Sequence, residues 1–301
     1  MARVLSQTPN DLEFLLFRAK ILIEKNDYIH AVSLLDMYSR QNSTNIDYLL
    51  LRAKVQLDWS KNTTLATETI EKALSLYPEN KDALLFAARV ASSTDSPVAG
   101  KYADELVSKI LENDPSNEEA LSYALDGLIR RSSWQSAYDI SKKLVSKENP
   151  SSDLISKHVE ICIALGKKNE ALTLATSFYN KNSQDENILQ SYVLAQVASG
   201  NKTQSLDLIN KLLDSSSSKM KSFLYYRRSF LQGTETAQLA DLRSSLIANP
   251  RNSDSLFRLY EIYFDKADYR KAQYYLKQVV ALKPNDSSIK KLNESLTKLL
   301  Q

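Results

Sequence analysis

The sequence contains few of the residues on which most catalytic and metal sites depend. It has one cysteine, two histidines and five glycines among its 301 residues. The single cysteine, Cys162, excludes an intrachain disulfide and a cysteine-rich zinc site. Two histidines leave little material for histidine-based catalysis or metal binding. The scarcity of glycine argues against glycine-rich phosphate loops and hairpin-rich β folds, because both need positive φ angles.

The sequence also lacks a strong charge bias and long apolar runs. Its 39 lysine and arginine residues nearly balance 36 aspartate and glutamate residues, so no global attraction to nucleic acid or anionic membrane is predicted. No run approaches the roughly 20 apolar residues of a membrane helix, and residues 1–9 contain no apolar segment of the signal-peptide type. We expect a cytoplasmic location, or a periplasmic or membrane-anchored one if the native protein carries an export signal outside this sequence.

Two independent series of residues recur along the chain with a period of about 34 residues. The first consists of prolines separated by one period or by a multiple of it: Pro78, Pro115, Pro150, Pro250 and Pro284. The second consists of small residues: Ala31, Ala66, Ala103, Ala137, Ala171, Ser205 and Ala272, with Gln238 where one is missing. Two landmarks in constant phase predict a solenoid built from repeated units.

Each unit is predicted to contain two helices, and the eighth unit shows this most clearly. Asn252 is a candidate N-cap for a first helix whose apolar residues follow at helical spacing: Leu256, Leu259, Ile262 and Tyr263. After a tight turn at residues 267–268, a second helix has the apolar face Ala272, Leu276 and Val279. Pro284 ends the unit because proline cannot continue a helix.

The same segment resembles the tetratricopeptide repeat (TPR) family nearly position for position. The matching residues are Leu256, Leu259, Tyr260, Tyr263, Asp268, Tyr269, Ala272, Leu276, Val279 and Pro284, and Asn26, Asp27, Tyr28 and Ala31 echo the turn in the first unit. The small residue usual in the first helix is present as Ala19, Ala53 and Ala88 but is replaced by Val159, Val193, Tyr226 and Tyr260 in later units. The resemblance implies an all-α, right-handed superhelical α-solenoid, and it implies function only weakly.

The repeat divides the chain into a short tail, a solenoid and a cap. Residues 1–9 are the tail, residues 10–284 are the solenoid of eight helix pairs, and residues 285–301 form a capping helix that covers the last apolar edge. The pairs are predicted to begin near Asn10, Asn45, Asn80, Asn117, Ser152, Asp185, Lys219 and Asn252. The polar residues 214–219 could form a weak joint within one continuous domain.

The first helices of units one to three carry the same trio of an acidic, an apolar and a basic residue. The trios are Glu13, Leu16 and Lys20; Asp47, Leu50 and Lys54; and Asp82, Leu85 and Arg89. Their helical spacing places each trio on one face. In TPR proteins this face lines the concave groove that binds partners, so we predict a partner-binding surface here. The alternative is that the charges are ordinary solvated side chains and that Leu50 or Leu85 packs between repeats.

A second candidate surface lies in units seven and eight, where aromatic and arginine side chains occur together. Phe223, Tyr226 and Arg227 are its predicted partner-binding residues, because such clusters resemble interaction hot spots. They also resemble ordinary packing residues, and that alternative stays open. No isolated basic patch surrounds them, so we expect no nucleic-acid binding.

One pair of residues could hold a metal ion. His158 and Cys162 are one helical turn apart, and both side chains are common metal ligands. However, both fall at core positions of the fifth unit, and the only other histidine is His30. We therefore predict that the pair packs in the core, and we predict no metal, no other cofactor and no catalytic residue.

The resemblance and the two surfaces favour a non-enzymatic adaptor or scaffold that holds a protein or peptide partner in its concave groove. Two alternatives remain open. One is an assembly factor of an envelope or secretion system, which would require an export or lipid signal outside this sequence. The other is a docking or regulatory subunit of an enzyme whose catalytic region lies elsewhere. The identity of the partner and the oligomeric state do not follow from the sequence.

The register of the repeat can be tested by enlarging one of its small residues. Ala137→Leu should lower the free energy of unfolding by about 1–3 kcal/mol, because a bulky side chain cannot fit where two helices approach closely. Thermal or urea unfolding followed by circular dichroism measures this change. An unchanged melting temperature would show that the assigned register is wrong.

Overall fold

The computed structural model describes residues 11–94, 96–284 and 286–300, so the predicted tail at residues 1–9 lies outside the described residues. The described residues form 17 α-helices and no strand. In chain order they are α1 (Leu12–Glu24), α2 (Tyr28–Ser39), α3 (Ile46–Asp58), α4 (Thr63–Leu76), α5 (Lys81–Thr94), α6 (Ala103–Asn113), α7 (Glu118–Arg130), α8 (Trp134–Val145), α9 (Ser152–Ala164), α10 (Lys168–Lys181), α11 (Glu186–Ala198), α12 (Lys202–Leu213), α13 (Ser218–Ser229), α14 (Glu235–Ala248), α15 (Ser253–Asp265), α16 (Tyr269–Leu282) and α17 (Ser287–Leu299). The predicted all-α chain of eight helix pairs followed by a single helix is confirmed.

Short polar side chains start most of the first helices where the sequence indicates. The side chains of Asn45, Asn117 and Asn252 accept hydrogen bonds from backbone N–H groups of the first turns of α3, α7 and α15. These bonds satisfy donors that have no partner within the helix. The first pair begins one residue later than predicted, because Asp11 is the N-cap of α1. The predicted start, Asn10, lies outside the described residues.

The recurring small residues lie where the two helices of a pair approach most closely. Ala31, Ala66, Ala137, Ala171, Ser205 and Ala272 are all fully buried. In each of these repeats the residue is the fourth after the N-cap of the second helix. Gln238 occupies the same place in α14 and is half-buried. The register of the repeat therefore agrees with the sequence series in every pair except the third.

The third repeat departs from the others at the start of its second helix. α6 begins at Ala103, the small residue itself, so the turn that precedes this residue elsewhere is absent. A loop takes its place, with a bridge between Val98 and Lys101 and positive φ angles at Ala99 and Gly100. The backbone N–H of Ala99 donates to Glu71 on α4, which holds the loop against the preceding repeat.

The helices group into two compact units, residues 1–147 and residues 148–301. The first contains α1–α8, and the second contains α9–α17. Residues 214–219, the predicted weak joint, lie inside the second unit, where α12 ends at Leu213 and Ser217 caps α13. The weakness of that joint stays a prediction.

Ion pairs link consecutive repeats of the first unit. Asp58 at the end of α3 pairs with Arg89 on α5, and Glu79 pairs with Lys109 on α6. Asp104 with Arg131 follows the same pattern, whereas Glu118 pairs with Lys147 within the fourth repeat. Because these side chains are partly or fully exposed, each pair contributes little to stability, and their main effect is to fix how neighbouring repeats align.

The seventh pair, α13 and α14, is held together by a buried ion pair. The Arg228 guanidinium donates from Nε to both oxygens of Asp241 at 3.1 Å and from Nη2 to Oδ1 at 2.6 Å. The Asp241 side chain is only 5% exposed, and Gln232 donates to it as well. This charge-assisted cluster lies in the repeat that has Gln238 in place of the small residue.

The last helix, α17, covers the apolar edge of the eighth pair. Leu296 is buried, and Ile289 and Leu292 pack against the same core cluster. Leu299, which the sequence places on this apolar face, is exposed. The lysines of the opposite face, Lys290 and Lys291, are exposed, as a terminal helix of a repeat array requires.

Removing Asp241 should be far more costly than removing an exposed acid of the same helix. Asp241→Ala leaves the partly buried Arg228 without its charged partner and should lower the free energy of unfolding by about 2–4 kcal/mol. Glu235→Ala, which removes the exposed pair with Lys266, is the matched control and should cost no more than about 1 kcal/mol. Urea unfolding of both variants measures the difference. Equal losses would contradict a structural role for the Arg228–Asp241 pair.

Candidate functional site

The predicted trios of the first three repeats lie on α1, α3 and α5, and their acidic members are exposed. Leu16 and Leu50 are half-buried and pack against the core of the first unit. Leu85 is only 8% exposed and belongs to that core. The apolar row therefore contributes mostly to packing, as the structural alternative proposed, and little of it is open to a partner.

The three basic members of the trios have different surroundings. Lys20 is exposed and Lys54 is half-exposed, and neither has an ion-pair partner among the described residues. Arg89 donates to Asp58 at 2.5 Å and lies over the Phe86 ring at 5.8 Å. Arg89 is thus engaged within the protein, whereas the two lysines are available to another molecule. Sequence reasoning missed Asp58, although its position near the end of the preceding first helix is a usable signal.

The hydroxyl of Tyr123 on α7 is a polar group near the Arg89–Asp58 pair, and it was not predicted from the sequence. Burial, and then a hydrogen bond to Glu119, raise the pKa of the Tyr123 hydroxyl to about 12. The hydroxyl donates to Glu119 Oε1 at 3.0 Å and is close enough to Arg89 and Asp58 to feel their charges. It therefore stays a neutral donor at physiological pH.

In the second unit, α13 brings together the predicted residues Phe223, Tyr226 and Arg227. The Arg227 guanidinium lies 5.3 Å from the Phe223 ring centre and 5.0 Å from that of Tyr226, both within cation–π distance. Tyr226 also makes an edge-on contact with Phe230 at 5.1 Å. The predicted aromatic and arginine cluster therefore exists as one contiguous surface.

Arg227 is desolvated but has no acidic partner in contact. Burial lowers the pKa of its guanidinium, and Tyr226, Asp254 and Glu160 oppose this shift through their charges. Its Nε atom is buried without a hydrogen-bond partner, and no carboxylate of the described residues lies within 4.0 Å of the guanidinium. A buried charge of this kind is costly unless a counter-charge or hydrogen bonds compensate it.

Glu160 on α9 is close enough to Arg227 for each charge to shift the pKa of the other, and these two residues together with Phe223 and Tyr226 define the surface that we term the recess. Burial raises the pKa of its carboxyl group, while Arg227 acts in the opposite direction. The Glu160 residue is nevertheless exposed to solvent. The two residues are on first helices that are joined by contacts of each with α11.

His158 and Cys162 are both buried, so the prediction that they pack in the core is confirmed. The sequence did not indicate that Glu170, at the start of α10, lies beside them. Glu170 Oε1 is 4.0 Å from His158 Nε2, and Cys162 Sγ is 3.6 Å from the same nitrogen. A helix pair brings this carboxylate to the other two side chains, and only the assembled pair shows it.

Comparison with known proteins identifies the fold. No protein-family model and no curated protein matches the chain. Among solved structures, a tetratricopeptide repeat protein from Parabacteroides merdae is similar with a TM-score of 0.60 and 16% identity, over 95% of this chain and 98% of that one. The TPR domain of P58(IPK) matches 99% of this chain and 91% of its own, with a TM-score of 0.33 and 15% identity. The APC/C hetero-tetramer Cut9-Hcn1 matches with a TM-score of 0.41 and 16% identity, over 91% and 67%.

The chain is an all-α protein with a TPR-like fold, which confirms the resemblance seen in the sequence. The fold alone names neither a function nor a partner. In the part of the chain that the structure describes, the helices are too short or too polar to cross a lipid bilayer.

The different roles of the three basic residues can be separated by stability measurements. Arg89→Ala should lower the free energy of unfolding by up to about 1 kcal/mol, because it removes the partly exposed pair with Asp58. Lys20→Ala should change it by less than about 0.5 kcal/mol, because Lys20 is exposed and forms no ion pair with an acid of the described residues. Denaturant unfolding of the two variants compares them. A larger loss for Lys20→Ala would mean that this lysine is structural.

Proposed function

We propose that this protein is a non-enzymatic scaffold that binds a segment of a partner protein in the recess of its second unit. Arg227 is the anchor and takes a carboxylate of the partner. The observation that carries the proposal is that Arg227 is desolvated, is framed by two aromatic rings and has no carboxylate in contact within the described residues.

A partner carboxylate would supply what the Arg227 surroundings lack. A guanidinium can bind a carboxylate through two parallel hydrogen bonds, and the unsatisfied Nε of Arg227 is one of the possible donors. The rings of Phe223 and Tyr226 exclude water from one side, which strengthens a charged hydrogen bond. Arginine and aromatic residues in such a setting are the usual anchors of protein interfaces.

Glu160 gives the recess a second, opposite charge. Because burial raises the pKa of its carboxyl group, a basic side chain of the partner would stabilise the ionised form. The recess therefore favours a segment that carries both an acidic and a basic residue over one that is uniformly charged. Such charge complementarity contributes mainly to specificity.

The first unit supports a separate binding surface. Lys20 and Lys54 lie at the same position of successive first helices and have no ion-pair partner among the described residues. Acidic residues of a partner could contact them at the protein surface, where each contact is weak and salt-sensitive. We therefore assign the stronger anchor to Arg227 and an auxiliary role to these lysines.

A peptide-display selection against the purified protein tests the scaffold function. We expect the selected peptides to carry aspartate or glutamate, and Arg227→Gln to weaken their binding by about tenfold to a hundredfold, or about 1.4–2.7 kcal/mol. Arg251→Gln, which changes an exposed arginine between α14 and α15, is the matched control and should leave the dissociation constant unchanged.

The same selection can contradict the proposed location of the anchor without contradicting the scaffold function. Peptides bound equally by wild type and Arg227→Gln, but lost on Lys20→Glu with Lys54→Glu, would move the site to the first unit. The absence of any selected peptide would contradict the scaffold function itself. Circular dichroism of each variant distinguishes lost binding from lost fold.

A further inference from the structure

Three side chains with metal-binding atoms converge between α9 and α10. His158 and Cys162 are one turn apart on α9, and Glu170 is in the first turn of α10. Cys162 Sγ and Glu170 Oε1 lie 3.6 Å and 4.0 Å from His158 Nε2, and the three donor atoms are all within 4.8 Å of one another. Both neighbours thus approach the same imidazole nitrogen.

These separations are close to the distances between donor atoms in a tetrahedral zinc site. With Zn–N and Zn–O distances of about 2.0–2.1 Å and a Zn–S distance of about 2.3 Å, donor atoms lie about 3.3–3.6 Å apart. The Cys162–His158 separation already meets this value. The Glu170 separation is slightly longer, and a change of rotamer of its half-exposed side chain would have to shorten it.

We propose that His158, Cys162 and Glu170 form a binding site for a zinc-type divalent cation. Thiolate and imidazole donors favour zinc over magnesium or calcium, which prefer oxygen donors only. A thiolate and a carboxylate together balance the two positive charges of the ion, so the buried site would be neutral. A water molecule would complete the coordination as the fourth ligand.

The burial of the three residues fits this arrangement. Cys162 is 0% exposed and His158 is buried, so they would form the floor of the site. The Glu170 side chain is 40% exposed and provides the route by which an ion enters. Lys167 Nζ lies 4.0 Å from Oε2 of Glu170, which leaves Oε1 directed toward His158. Such outer partners orient metal ligands.

The bound ion would link α9 to α10 and so stabilise the first helix pair of the second unit. An ion that binds only the folded protein raises its stability in proportion to the logarithm of its concentration. The melting temperature should therefore increase with added zinc. This effect does not depend on the partner recess, because Arg227 and Glu160 take no part in it.

Cobalt(II) is the probe for this site, used with untagged protein that has been treated with a chelator. We expect one equivalent to bind, with a thiolate-to-cobalt charge-transfer band and the visible ligand-field bands of tetrahedral cobalt. Zinc should displace it and raise the melting temperature. Cys162→Ser should abolish the charge-transfer band, and Glu170→Gln should weaken cobalt binding at least about tenfold.

His30→Ala is the matched control, because it changes the only other histidine, which pairs with Asp27 on the protein surface. It should leave the cobalt spectrum and the zinc-dependent shift unchanged. Wild-type protein with no thiolate band and no zinc-dependent melting shift would overturn the proposal and leave a packed Cys–His pair. Cobalt binding by Glu170→Gln as tight as that of the wild type would also overturn the proposal. The substitution is at a half-exposed side chain, so we expect the variant to fold and to lack only the proposed carboxylate ligand.

Discussion

The close approach of two helices at one small residue is the constraint on which the rest of the structure depends. At Ala31, Ala137 and Ala272 the side chain is fully buried, so the helices of these pairs meet with nothing larger between them. Helices this close bury their apolar faces against each other and leave one edge for the next pair to cover. Where Gln238 takes the place of the small residue, the Arg228–Asp241 pair joins the two helices instead. In the seventh repeat, a larger residue at this place thus occurs together with an ion pair between the two helices.

Local chemistry explains why the fold could be predicted. A cap such as Asn45 or Asn252 bonds to backbone groups only two or three residues away, so its effect is visible in the sequence itself. The spacing of the small residues is equally visible, because a small residue recurs at the same position of almost every repeat. The shortened α6 was harder to predict, since the loop before Ala103 replaces a turn that the repeat pattern contains.

The candidate sites could be predicted only in part, because their properties arise between repeats. Phe223, Tyr226 and Arg227 are neighbours in sequence, and their cluster was evident. That Arg89 is occupied by Asp58 depends on how one first helix lies against the next. Glu170 reaches His158 only when α9 and α10 are paired. Helical periodicity assigns a residue to a face of its own helix, but it does not specify which side chain of another helix lies opposite.

The unpaired charge of Arg227 has a consequence for the free protein. Desolvating a guanidinium without a counter-ion disfavours the folded state, and a hydrophobic residue at this position would pack beside Phe223 and Tyr226 without that cost. Asp241 shows how this fold neutralises a partly buried arginine, because its carboxylate accepts from Nε and Nη2 of Arg228 while Asn210 accepts from Nη1. Two adjacent arginines on one helix therefore differ in a single respect: one is satisfied within the protein and the other is not. In the proposed complex, a ligand carboxylate that pairs with Arg227 would offset this desolvation cost.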